Sequence, residues 1–325
     1  MKYSFIVPVF NRPDEVDELL ESLTKQTLSD FEVVIVEDGS TDTCKDVCDK
    51  YAGILSLSYY YKENSGPGQS RNYGVERATG EYVIIVDSDA VTPPGFVQAI
   101  DDELRRQPTD AWGGPDAAQE SFTDIQKAIS YAMTSFFTTG GIRGGKKQLD
   151  KKFYPRSFNL GVRREVYQQL SGFSTERFSK MSLYGEDLDF SLRIYKNGYS
   201  CRLFPEAWLW HKRRTDFRRF WRQVYNSGYA RINLWRKYPE ALKLVHLLPA
   251  VFTIGVIGCL LLALFWPYAL VPIVLYCLLI LIDSSIRNRS LKVGLISVPA
   301  VFVQLIGYGV GFLESWWTNC LRKKS

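Results

Sequence analysis

Asp87-Ser88-Asp89 closes an apolar run, Tyr82-Val83-Ile84-Ile85-Val86, and Gly185-Glu186-Asp187-Leu188-Asp189 follows about a hundred residues later. Carboxylates grouped in this way hold hard divalent cations through oxygen and take protons from reacting hydroxyls. An Asp-x-Asp on its own is commonly a solvated turn. Here it ends a strand-like run, on a chain whose last third is apolar enough to enter a bilayer, and the two clusters together point to transfer chemistry at a membrane.

The elements that would position these groups are legible as apolar runs. Tyr3 to Val9, Phe31 to Val36 and Tyr82 to Val86 are strand-length and nearly continuous, the pattern of strands covered on both faces. Between the first two, Val16, Leu19, Leu20 and Leu23 mark a helical stripe over Asp14 to Lys25. A helix over Thr41 to Tyr51, a strand over Leu57 to Tyr61 and a helix over Gly68 to Ala78 complete a βαβαβαβ order. That order predicts an α/β fold: an open, mostly parallel sheet of nucleotide-binding type, with ligands at the C-terminal strand ends. Val9-Phe10-Asn11-Arg12, Glu37-Asp38-Gly39-Ser40 and Asp87-Ser88-Asp89 all fall on that edge. Gly66-Pro67-Gly68 is a poor dinucleotide fingerprint, because Arg71 replaces the third glycine.

With 325 residues the chain is long enough for a folded domain and an appendage. Leu244 to Phe265, Tyr268 to Ile282 and Val293 to Leu313 carry almost no charge. They read as two spans turning at Phe265-Trp266-Pro267-Tyr268 and then a third. The N-terminus is too short and too strand-like for a signal peptide, which predicts a cytosolic first part and an inner-membrane, multi-pass location. The six cysteines have no CxxC pairing and read as reduced structural thiols. The net charge of +5 is concentrated between His211 and Tyr238, where nine Lys or Arg face one acid, Asp216. Phe217, Phe220, Trp221, Val224 and Tyr225 recur among them at helical spacing, which describes a basic amphipathic helix in the headgroup layer. The adjoining spans argue for a bilayer rather than nucleic acid as its partner. The predicted division is 1–210, 211–243 and 244–325.

Val7-Pro8-Val9-Phe10-Asn11-Arg12, Val36-Glu37-Asp38-Gly39-Ser40-Thr41-Asp42, Gly68-Gln69-Ser70-Arg71-Asn72-Tyr73-Gly74, Ala78-Thr79-Gly80-Glu81-Tyr82, Asp87-Ser88-Asp89 and Gly185-Glu186-Asp187 together resemble glycosyltransferase family 2. The match in order and spacing runs over roughly residues 1 to 215. The resemblance implies a GT-A fold, a nucleotide-diphosphate sugar donor, Mg²⁺ or Mn²⁺, and transfer with inversion. The C-terminal spans resemble those of membrane-bound members that build bacterial polysaccharides, of the succinoglycan type.

By that resemblance Asp89 would bind the metal and Asp87 the donor ribose or the metal, with His211 completing the metal site as it does in some relatives. Asp38 would accept from the base, favouring uracil, Pro8 and Phe10 would line the base pocket, and Arg71 would meet the base or diphosphate. Asp187 would be the catalytic base, with Glu186 supporting it or binding the acceptor. Asp189 would be a helix cap or outer support. The segment Phe158 to Arg164, including Asn159, resembles the part that packs beneath the acceptor. The glycine-rich basic loop Gly140 to Lys147 would close over the diphosphate or order on binding.

Arg219-Phe220-Trp221-Arg222-Gln223-Val224-Tyr225 departs from the Gln-x-x-Arg-Trp motif of processive synthases, which favours addition of a single sugar to a lipid-linked glycan. Transfer of a first sugar onto polyprenyl phosphate and a non-catalytic nucleotide-sugar sensor are the other readings, and the intact acids weigh against the sensor. Arg287, Arg289 and Lys292 predict a cytosolic loop before the third apolar segment. Three full spans would place Arg322-Lys323-Lys324 outside, so either the last segment re-enters or the tail is tolerated there.

Overall fold

The computed structural model describes residues 1–117, 122–140, 152–176, 178, 184–212 and 214–321. Most of the Gly140–Lys147 loop, Arg213 and the basic tail lie outside the described residues. In chain order the elements are β1 (Tyr3–Val9), α1 (Pro13–Thr24), β2 (Phe31–Asp38), α2 (Lys45–Tyr51), β3 (Leu57–Lys62), α3 (Pro67–Val75), β4 (Tyr82–Val86), β5 (Ala90–Val91), α4 (Phe96–Arg106), β6 (Ala111–Gly113), β7 (Asp116–Ala117), α5 (Asp124–Thr134) and α6 (Phe136–Thr139). There follow β8 (Asn159–Arg163), α7 (Arg164–Gln169), α8 (Glu186–Lys196), β9 (Cys201–Leu203), β10 (Leu209–His211), α9 (Phe217–Lys237), α10 (Leu248–Ala263), α11 (Val271–Asn288) and α12 (Leu291–Trp316).

Two compact units share these elements. The first comprises 1–117, 146–176 and 186–211 and is built on a seven-stranded sheet in the order β3-β2-β1-β4-β8-β6-β9. Only β8 runs against its neighbours, so the sheet is mostly parallel. Side chains alternate between the two faces of each strand with period two, which explains the continuous apolar runs. Tyr3, Phe5, Val7 and Val9 of β1 join Phe31, Val33 and Ile35 of β2 and Ile84 of β4 on one face. There they are covered by Leu19 and Leu20 of α1, Cys48 of α2 and Ile100 of α4. Ile6, Val34, Val36, Val83 and Ile85 point the other way, against Val75 of α3, Tyr167 of α7 and Phe190 and Ile194 of α8.

A second, three-stranded sheet in the order β5-β10-β7 stands within the same unit. Strands of two or three residues have no readable period, and the sequence reading did not contain them. Asn159 of β8 is buried and donates from Nδ2 to the Ala207 carbonyl at 2.8 Å, fixing the approach to β10.

The second unit comprises 118–145, 177–185 and 212–325. α9 and α12 pack along one another, and α5, α10 and α11 lie against α12. Their shared core contains Ala128, Ile129, Phe220, Val224, Ile232, Val301, Leu305 and Phe312. Leu244–Ala263, Pro267–Asn288 and Leu291–Cys320 are long and apolar enough to cross a membrane. The apolar face of α9, expected to seek the headgroup layer, is instead covered by protein, because α12 offers it a glycine-lined surface. Its outer face keeps Arg218, Arg219, Trp221 and Arg222 exposed.

Candidate active site

The ends of β1, β2 and β4 meet as the parallel order requires, and side chains stitch them together. Asn11, with φ 53°, accepts at Oδ1 from the backbone N–H groups of Thr41 (2.9 Å) and Asp42 (3.0 Å), while its own N–H donates to Ser40 Oγ at 2.7 Å. Asn tolerates that left-handed conformation better than most residues, so the turn after β1 can reach the turn after β2. Phe10 is left half exposed beside this turn, and Pro8 is part-buried on β1.

Asp38 is buried at the end of β2. Its Oδ1 accepts from Lys62 Nζ at 2.5 Å and from the Ser65 N–H at 2.9 Å, and its Oδ2 accepts from the Gly66 N–H at 2.9 Å. Burial opposes its ionisation, but Lys62 and the Ser65 N–H outweigh burial and hold the carboxyl below the usual range. The Ser70 hydroxyl adds a further hydrogen bond to the same carboxylate.

Beyond β4, Asp87 and Asp89 come together with His211. β10 pairs antiparallel with β5, placing His211 opposite Ala90, the residue after Asp89. His211 Nε2 lies 3.1 Å from Asp89 Oδ1 and 3.8 Å from Asp87 Oδ2, and its ring stacks on Phe158 at 4.7 Å. Two carboxylates and an imidazole, with ligand atoms all within 4.8 Å of one another, suit a divalent cation such as Mg²⁺ or Mn²⁺. Arg12 adds an ion pair to Asp89 at 3.0 Å.

Arg71 lies almost fully buried on α3 and joins both carboxylate clusters, donating from Nη2 to Asp87 at 2.9 Å and from Nη1 to Glu186. The resemblance pointed Arg71 toward base or diphosphate; here its guanidinium is occupied by two acids. Gly68, one helical turn before it, leaves the necessary space: a Cβ there would stand 2.4 Å from Glu186 Oε2. Glu186 Oε2 has no hydrogen-bond partner among the described residues. Burial pushes the Glu186 carboxyl up to about 7, against the pull of Arg71.

The three acids at the start of α8 differ in access. Asp189 is fully buried and accepts from Arg193 Nε at 2.8 Å, and Arg193 in turn donates to the Gly172 carbonyl at 2.7 Å. That places Asp189 in the scaffold. The Glu186 side chain is 8% exposed and that of Asp187 17%, with Asp187 Oδ2 facing Arg156 Nη1 at 3.2 Å. Asp187 is therefore the most reachable of the three. Arg156 and Lys62 were absent from the candidate residues of the sequence reading. Lys62 stands at the end of a recognised strand and was discoverable as the cation closest to Asp38 in the sheet register, whereas Arg156 has no local signal.

Residues 4–171 match Glycosyl transferase family 2, just over half of the chain. The uncharacterized glycosyltransferase EpsJ of Bacillus subtilis is 32% identical over 209 residues, covering 63% of this chain and 59% of that protein. The poly(ribitol-phosphate) beta-N-acetylglucosaminyltransferase TarS of Staphylococcus aureus is 44% identical over 93 residues, 27% of this chain and 16% of TarS. The chain thus spans well under two thirds of these curated relatives. Among solved structures, the mannosyltransferase PcManGT from Pyrobaculum calidifontis, in complex with GDP-Man and Mn²⁺, superposes with a TM-score of 0.61 at 18% identity over 98% of this chain and 88% of that one. TarS 1-349 superposes with a TM-score of 0.51 at 23% identity over 72% and 66%. Motif order, sheet topology and the extent of the family match agree, and the chain belongs to glycosyl transferase family 2.

Proposed function

We propose that the chain transfers a single sugar, with inversion, from a nucleotide-diphosphate sugar, with UDP as the favoured nucleotide, to a lipid-linked glycan acceptor at a membrane. The observation that carries this reading is the meeting of Asp87, Asp89 and His211 at the strand ends, braced through Arg71 to Glu186 of α8. PcManGT, similar over nearly the whole chain, was solved with a nucleotide sugar and Mn²⁺.

Asp89, His211 and Asp87 would hold a divalent cation, which when bound neutralises charge on the departing diphosphate. Pro8 and Phe10 would flank the base, and Asp38 would accept from a base N–H. Asp187 would remove the proton from the acceptor hydroxyl as that oxygen attacks the anomeric carbon from the side opposite the leaving nucleotide. Its access favours it over Glu186 and Asp189. Glu186 keeps Arg71 in place beside Asp87. The three long apolar helices would hold the enzyme at the bilayer where such an acceptor resides.

The test incubates membranes containing the full chain with radiolabelled nucleotide sugars, Mn²⁺ and either lipid-linked glycans or polyprenyl phosphate alone, beside Asp187→Asn. One label should pass into the glycan-lipid fraction and fall by about 10²–10⁴-fold in Asp187→Asn, with donor binding kept. Transfer to polyprenyl phosphate alone would replace the acceptor proposed here. Donor binding without transfer, equal in both proteins, would overturn catalysis and favour a sensor.

A further inference from the structure

α12 has the length and composition of a membrane span, but the helices beside it limit how deep it can lie. α9 carries Arg218, Arg219 and Arg222 near its start and Arg231, Arg236 and Lys237 toward its end. With cations at both ends and an arginine within its length, α9 is not a span and lies along the membrane surface.

The second half of α12 runs beside it. A Cβ on Gly228 would stand 2.1 Å from the Tyr308 carbonyl oxygen, and one on Gly311 would stand 2.1 Å from the Tyr225 carbonyl oxygen, so the two backbones touch. A Cβ on Gly307 would stand 2.6 Å from Val224. The same seam continues through the hydrogen bond of Tyr225 Oη to the Glu314 carboxylate and the Tyr229–Thr318 pair at 3.3 Å. The contacts extend from Val224 beside Gly307 to Tyr229 beside Thr318, so the two helices run broadly in the same direction. The stretch from Gly307 to Thr318, the second half of α12 and the turn after it, therefore lies at the depth of α9.

At its other end Lys292 pairs with Asp124 of α5 at 2.7 Å, just past Arg287 and Arg289 in the preceding turn. From Lys292 to Gly307 a helix rises about 22 Å at 1.5 Å per residue, short of about 30 Å of hydrocarbon. Burial follows the same division. Leu260, Leu264, Leu275 and Ile282 of the α10–α11 region are all more than half exposed, while Val301, Leu305 and Phe312 of α12 are buried.

We propose that α12 does not cross the membrane. It lies in the interface with both ends on the α9 side, and α10 and α11 alone form the hairpin that crosses and returns. The end of α12 then lies on the same side as the cations of α9, and cation-rich segments are favoured on the side that is not translocated. The surface formed by α9 and α12 faces lipid headgroups, and its exposed Arg218, Arg219 and Arg222 suit anionic ones.

Three single-cysteine additions to the full chain test this: Glu240→Cys after α9, Tyr268→Cys in the turn between α10 and α11, and Ser325→Cys. Each is treated with a membrane-impermeant maleimide on sealed vesicles of both orientations. The parent chain gives the background from its own six cysteines, and detergent shows that each added thiol reacts once exposed. Glu240→Cys and Ser325→Cys should label in one orientation and Tyr268→Cys only in the other. Labelling of Ser325→Cys together with Tyr268→Cys would mean that α12 crosses and would overturn the proposal. Labelling of Tyr268→Cys together with Glu240→Cys would overturn the crossing hairpin. Protease removal of a tag placed after Ser325 gives the same decision if that thiol stays unreactive. None of these readings depends on transfer activity, so they stand or fall apart from the proposed reaction.

Discussion

At the scale of single residues, the site divides into acids that can meet a ligand and acids that hold others in place. His211→Ala should weaken Mn²⁺ binding, followed by calorimetry, by more than the ~10-fold that losing an outer partner of a metal site costs. Unchanged affinity would remove His211 from the metal site. Glu186 makes a different prediction, because its folded-state carboxyl is raised from 4.5 to about 7. The folded chain keeps a proton there that the unfolded chain has already lost. This group's contribution to stability is therefore complete below the ordinary glutamate value and is lost as pH rises from 4.5 to about 7. Glu186→Gln should flatten the fall of the thermal midpoint across that window, and an unchanged slope would refute the assignment. The acids themselves were readable in the sequence because Asp87-Ser88-Asp89 and Gly185-Glu186-Asp187 are contiguous motifs. Arg71 was recognised, but the acids it pairs with lie 16 and 115 residues away and only the folded sheet brings them to it. Arg156 reaches Asp187 from a loop with no pattern of its own.

At the scale of elements, continuous apolar runs were the strongest signal. β1 and β4 have the bounds expected of them, because a strand buried on both faces reads as a nearly continuous apolar run. α1, with its stripe of Val16, Leu19, Leu20 and Leu23, was equally plain. α5 escaped notice because its apolar residues answer to α12, far along the chain. The amphipathic pattern of α9 was clear, but a pattern does not say whether lipid or protein covers the apolar face, and the glycines of α12 decide it. That contact yields a sharp expectation. Gly228→Ala places a methyl 2.1 Å from the Tyr308 carbonyl oxygen and should lower stability in detergent by about 1–3 kcal/mol, while Ser227→Ala, one position away, should change little. Equal melting of the two variants would mean that the backbones are not in contact. α9 also holds the segment 177–185 of its own unit: Asn233 Nδ2 donates to the Phe178 carbonyl at 2.9 Å, and Leu234 packs on Gly185.

At the scale of the whole molecule, the chain interleaves its two units: segments 118–145 and 177–185 leave the first unit to join the second, then return. Such long excursions would be hazardous if loop lengths set the positions of the reactive groups. They do not, because a ladder sets them. Leu209 pairs with Asp116, Trp210 with Ala117 and Val91, and His211 with Ala90. What matters is therefore phase rather than distance along the chain. Two added residues within 118–121 should leave Mn²⁺ affinity intact, whereas deleting Glu206, just ahead of β10, should abolish it by moving Lys212 into the place of His211. The same rule leaves room for inheritance to vary: a sheet that keeps its phase can accept new chain between its strands, and the long apolar helices can be lengthened, shortened or exchanged while Asp87, Asp89 and His211 stay together.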